Sequence, residues 1–136
     1  MTAFIKTMMV LLGIGMFLNG IYMLYDPLSW YYVVPTVVGT GPFNQHFIRD
    51  IGIIHLLVGA GYVVGLFLPA QRVWMWSAST IFLGLHGIFH LWEVAVGICG
   101  PETIAQNGAL VHLPAILGLI GVVWALSPLA AREART

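Results

Sequence analysis

The chain has 136 residues, enough for one domain of ordinary size. Apolar residues make up 60% and charged residues 7%, with a mean hydropathy of +0.94, which excludes an ordinary soluble globule and points to an integral membrane protein. Five Lys and Arg balance five Asp and Glu with no run of either sign, so neither nucleic-acid binding nor docking on anionic lipid is supported.

Four apolar stretches are long enough to cross the bilayer's hydrocarbon, which takes about 20 helical residues. The first, residues 4–25, has a weakly charged start, a long apolar core and no small-residue cleavage site after it, so it is expected to be a retained transmembrane helix rather than a signal peptide. Asp26-Pro27 ends it, because proline restricts the residue before it and lacks an N–H.

The connection over residues 26–46, DPLSWYYVVPTVVGTGPFNQH, is expected to be a long external loop. Loops of this length in compact domains are usually functional or disordered. Its Trp30, Tyr31 and Tyr32 suit an interfacial anchor at headgroup level, or, more sharply, a lid over something beneath. Gly41-Pro42 precedes Asn44, a natural N-cap for the second span over 47–68.

Pro69 closes the second span, and only four residues separate it from the third, 73–98, which predicts an antiparallel hairpin. Gly97, Gly100 and Pro101 stop the third span, and the fourth runs over 104–126. Pro114 cannot donate to the carbonyl of Leu110, which predicts a distortion beside His112. The expected fold is thus all-α, a single transmembrane domain over 1–136 built as a four-helix bundle. Small residues such as Gly61 and Gly65, Gly84 and Gly87, and Gly118 and Gly121 mark close helix contacts, within the bundle or in a homo-oligomer.

Lys6, Arg72, Arg132 and Arg135 all fall on one side of this arrangement, whereas the two opposite loops carry Asp26 and Glu102 and no basic residue. The positive-inside rule then places both termini in the cytoplasm and the long loop outside, in a bacterial inner membrane. Cys99, the single cysteine, excludes an intramolecular disulfide and any CxxC zinc or redox motif.

Polar residues within the spans carry the functional signal. At 1.5 Å of rise per residue, Glu93 lies about 7 Å, His90 about 12 Å and His86 about 18 Å from the external end of the third span. On the same count Asp50 lies at about 5 to 8 Å, His55 at about 12 to 15 Å, His112 at about 6 to 12 Å and Asn19 at about 9 Å. Every span therefore contributes a polar group to the outer half of the bilayer, and the inner half holds almost none. Such residues normally face the bundle interior, pair with one another and mark sites or pathways.

Helical geometry refines the set. His86, His90, Glu93 and Gly97 fall within about 60° of one another, one inward stripe on which imidazoles at i and i+4 converge with a carboxylate one turn on. The stretch HGIFHLWE that carries them would be a chance pattern elsewhere; within a membrane, at the depth of His112 and His55, it is a candidate metal site. On the second span His46 and Asp50 share a face with Arg49 at its edge, while His55 points about 140° away from Asp50. We therefore expect His55 in the inner layer and Asp50 in an outer layer near Glu93. Asn19, His46 and Arg49 are candidates for supporting or proton-relay roles. Each also has a plainer account: a histidine bonded to a carbonyl for His55 or His112, the water interface for His46, snorkelling for Arg49 and interhelical glue for Asn19.

Imidazole with carboxylate suits iron, copper or zinc, whereas Mg²⁺ and Ca²⁺ want oxygen ligands. The first functional expectation is therefore a transition-metal ion held by His86, His90, His112, His55, Glu93 and Asp50, serving membrane redox chemistry on a quinol or lipid-like substrate. Haem between His90 and His112 or His55 is the variant of that expectation. A second is a structural or assembly subunit of a larger membrane complex. A third is a proton-coupled channel or transport subunit, since His and carboxylate groups relay protons near neutral pH. No nucleotide loop, catalytic triad, zincin motif or CxxCH occurs, so enzymatic status stays open, a membrane metal-dependent oxidoreductase being the activity that the donor set would suit.

Overall fold

The computed structural model describes residues 2–133, among which every regular element is helical. Arg135, one of the charges behind the expected orientation, lies outside the described residues. Helix α1 (Thr2–Tyr25) is uninterrupted and stops at Asp26, which leaves helical geometry and accepts the Ser29 N–H at 3.0 Å. That bond caps a short helix α2 (Pro27–Val33), with Pro27 at its first turn, where the missing N–H has no partner to lose. The connection expected as a loop is therefore partly helical, and a 3-10 turn (Val37–Thr40) follows.

Asn44 accepts the Phe47 N–H at 3.1 Å and so starts α3 (Gln45–Phe67), as the sequence predicts. Helix α4 (Arg72–Ala95) follows after a four-residue turn. It ends where Gly97 adopts φ 78°, a left-handed position that glycine takes without strain, and the Ile98 N–H returns to the Glu93 carbonyl at 2.9 Å. The last long helix is composite: α5 (Glu102–Asn107), a π turn (Gly108–His112) and α6 (Leu113–Ala125). Pro114 explains the π turn. With no N–H to offer Leu110, the chain widens, and the Leu113 N–H bonds to Gly108 instead. Helix α7 (Pro128–Glu133) brings Ala130 into the buried cluster around Trp124.

Among the described residues three helices are long and apolar enough to cross a membrane: α1, α3 and the composite 102–125. Helix α4 has the same length as α1 but is not among them. Arg72, Ser79, Thr80, His86, His90 and Glu93 lower its hydropathy.

In lipid the hydrophobic effect does not drive helices together, so close packing and interhelical hydrogen bonds must. Helices α1 and α3 are zipped by four glycines at heptad spacing, Gly13 and Gly20 on one, Gly52 and Gly59 on the other. A Cβ on Gly59 would lie 2.6 Å from the Gly13 carbonyl oxygen, and one on Gly20 2.7 Å from that of Gly52, which fixes an antiparallel register. Gly61 and Gly65 face Ser79 and Trp76 of α4, so this pair packs the chain itself. Gly87 faces His112, and Gly118 faces Tyr62 and Thr80.

Hydrogen bonds lock the same contacts. Trp76 Nε1 donates to the Tyr62 carbonyl at 3.0 Å, Ser79 Oγ donates to that of Val58 at 3.1 Å, and the Tyr62 and Thr80 hydroxyls meet at 2.9 Å. Arg72 is buried at the turn, its Nε and Nη2 donating to the Gly65 and Leu66 carbonyls at 3.1 and 3.3 Å. Its guanidinium carbon lies 5.7 Å from the ring of Trp76 and 5.3 Å from that of Trp124. A cation over two indoles, on the carbonyl end of a helix dipole, is favourably placed. The helix interior thus carries hydroxyl hydrogen bonds at mid-length of α4 and a buried arginine at the turn between α3 and α4.

Candidate functional site

The stripe predicted on α4 exists. The His86 and His90 rings lie 4.7 Å apart between centroids at 85°, and His90 Nδ1 is 3.2 Å from Glu93 Oε2, with both side chains largely buried. His55 enters from α3. It is 8% exposed, its Nδ1 bonds to the Ile51 carbonyl at 2.9 Å, and its ring meets Phe82 edge-on at 6.0 Å. Phe82 in turn stacks on His86 at 6.0 Å, so one benzene ring bridges the two imidazoles. His112 enters from the π turn and sits on Gly87, where any larger side chain would meet its Nδ1. His86 lies within electrostatic range of His55, His90 and His112. Three helices thus bring four imidazoles and one carboxylate together.

Two atoms of this cluster lack a hydrogen bond. Glu93 Oε2 and His112 Nε2 are buried without a hydrogen bond. Buried polar groups are nearly always paired, because an unpaired one loses its hydration without compensation.

Asn107 and Thr36 complete the cluster and were not singled out in the sequence. Buried Asn107 places its Nδ2 3.4 Å from His90 Nδ1, while its Oδ1 accepts the Thr36 hydroxyl at 2.8 Å. Asn107 falls in the outer turns of the fourth predicted span, at a depth comparable to His112, so the depth count contained the signal. Thr36 has no such signal, since only the fold brings the loop to it.

The remaining candidates lie elsewhere. Asp50 does not join Glu93: it is 55% exposed and pairs with His46, itself 88% exposed, at 3.3 Å. The helix turn explains this, because with His55 directed inward the residue five positions earlier must face outward. Arg49 donates to the Leu24 carbonyl at 3.3 Å and to Gln45 Oε1 at 2.8 Å, tying α3 to the end of α1. Asn19 accepts the indole N–H of Trp30 at 2.9 Å, which draws α2 onto α1. Of the three loop aromatics only Tyr32 faces outward freely; Tyr31 is buried with Met23 and Ile48, and its hydroxyl donates to the Gly41 carbonyl at 2.8 Å.

Among the described residues no three His, Cys, Asp or Glu side chains are arranged to hold a metal ion. His86 packs its ring against His90, whereas His55 packs against Phe82. Comparison with protein-family models, curated proteins and solved structures gives no match.

Proposed function

We propose that the chain is a four-helix integral membrane protein of the bacterial inner membrane, with both termini cytoplasmic, whose His and Glu cluster in the outer half binds a transition-metal ion: iron, copper or zinc. The observation that carries this reading is that two buried atoms, Glu93 Oε2 and His112 Nε2, make no hydrogen bond beside His86 and His90, Glu93 having only the nearby His90 ring for company. A cation would satisfy both, and the donor chemistry fits these metals.

The bonds at Nδ1 support the same reading. His55 commits Nδ1–H to the Ile51 carbonyl, which leaves the Nε2 lone pair open. Glu93 Oε2 and His90 Nδ1 lie 3.2 Å apart, so a carboxylate stands directly beside a second imidazole of the cluster. His86, His90, His112 and His55 would supply nitrogen, with Glu93 orienting His90 or ligating. Side-chain rotation within the cluster must bring the lone pairs to one focus. Asp50, on the outer face of α3, is not in the ligand set.

A bound redox ion would supply electron transfer to a quinol or lipid-like molecule. The ion fits better than haem, because His112 rests directly on Gly87 and leaves no gap for a porphyrin between α4 and the composite helix. A second reading, an assembly subunit of a larger membrane complex, is favoured by the Asp50–His46 pair on the outside of α3, where a neighbouring chain would cover it.

Elemental analysis and an optical spectrum of the detergent-purified protein test the proposal. Stoichiometric iron, copper or zinc without a Soret band, lost in His86→Ala and in His90→Ala, is the expected result. Absence of any bound metal after reconstitution with each of the three ions overturns it in favour of the assembly reading.

A further inference from the structure

The connection between α1 and α3 is tied to the cluster at one point. Thr36 Oγ1 donates to Asn107 Oδ1 at 2.8 Å across 71 residues of sequence, and the same Asn107 touches His90. Thr36 is the only non-glycine among the described residues with positive φ, at 71°. A β-branched residue is uncommon there and needs surroundings that hold it. Downstream, Gly41 at φ 149° and the Tyr31 hydroxyl bond to its carbonyl fix the other side of the segment. The strained position and the long-range bond coincide in one residue. Asn107 is also the last residue before the π turn that presents His112.

We infer that the Thr36–Asn107 hydrogen bond is a latch, holding residues 34–41 over the histidine cluster and limiting entry from the outer end. The inference rests on the cluster being a ligand site, and it names the element that controls access to it. Opening would relieve the strained φ at Thr36 and expose the Asn107 amide. The α1–α3 and α3–α4 contacts are made through Gly13, Gly59, Gly61 and Gly65 and do not involve Thr36 or Asn107.

The test needs no metal. In a Cys99→Ser, His86→Cys parent, the new thiol reports access to the cluster through its rate of modification by a hydrophilic maleimide in detergent. Thr36→Val should raise that rate about fivefold, the factor that one ordinary hydrogen bond is worth. Thr36→Ser, which keeps the hydroxyl, should label like the parent. Asn107→Ala, which also removes the contact with His90, should label at least as fast as Thr36→Val, and adding Thr36→Val to it should give no further increase, since the shared bond is already gone. Equal rates for Thr36→Val and parent, or additive effects in the double variant, overturn the latch. Metal analysis of the unmodified protein separately decides the ligand reading, so the two failures are distinguishable.

Discussion

Replacing Gly59 by alanine tests the packing on which the site depends. The added methyl would sit 2.6 Å from both the Gly13 carbonyl oxygen and the Phe17 backbone nitrogen, about 0.8 Å short of ordinary contact at 3.4 Å. Both obstacles are backbone, so no rotamer change relieves them and α1 must back away from α3. Overpacking of this kind costs about 1 to 3 kcal/mol, and two rigid obstacles place it at the upper end. Alanine's better helix propensity returns about 1 kcal/mol, for a net loss of about 2 kcal/mol. Gly84→Ala is the control, because a methyl there meets nothing within 4 Å and should be neutral or slightly stabilising. Unfolding of both variants in mixed micelles, followed by circular dichroism, gives the comparison. Equal stability would mean that α1 and α3 do not cross at these glycines.

Two further outcomes follow from local geometry. Pro114→Ala restores an N–H that can reach Leu110, so the π turn should relax toward a regular helix and swing His112 away from Gly87; loss of bound metal with unchanged helical content would show this. At the end of α4, partial burial and the carboxylates of Glu93 and Glu102 push the Cys99 thiol above its usual value. The thiolate is the reactive form, so alkylation at pH 7 should be slower than for a free thiol, rise as pH passes 9, and quicken in Glu102→Gln.

Much of the fold was legible in the sequence because helix stops are local chemistry. Asp26-Pro27, Asn44 and Gly97 act where they stand in the chain. The stripe of His86, His90 and Glu93 was legible for the same reason, being fixed by one helix's periodicity. What the sequence hid depends on which helix meets which. The heptad glycines of α1 and α3 read as scattered small residues until the two helices face each other. Asp50 shares a depth with Glu93 but not a direction. Arg72 looked like an ordinary interfacial charge, yet its guanidinium is taken up by two carbonyls and two indoles. Thr36 lies in a stretch with no periodicity at all, and only tertiary contact gives it a role.

The glycine seam has a consequence for the outer end of the molecule. Helices that touch backbone to backbone lie close together, with axes separated by about 8 Å. Nineteen residues, 26 to 44, join their ends, and that length of chain could stretch about 60 Å. Most of the segment is therefore surplus to the task of connection. Short spacing below releases material above, and the slack gained by pulling two spans into contact is what the protein has available to roof its histidines.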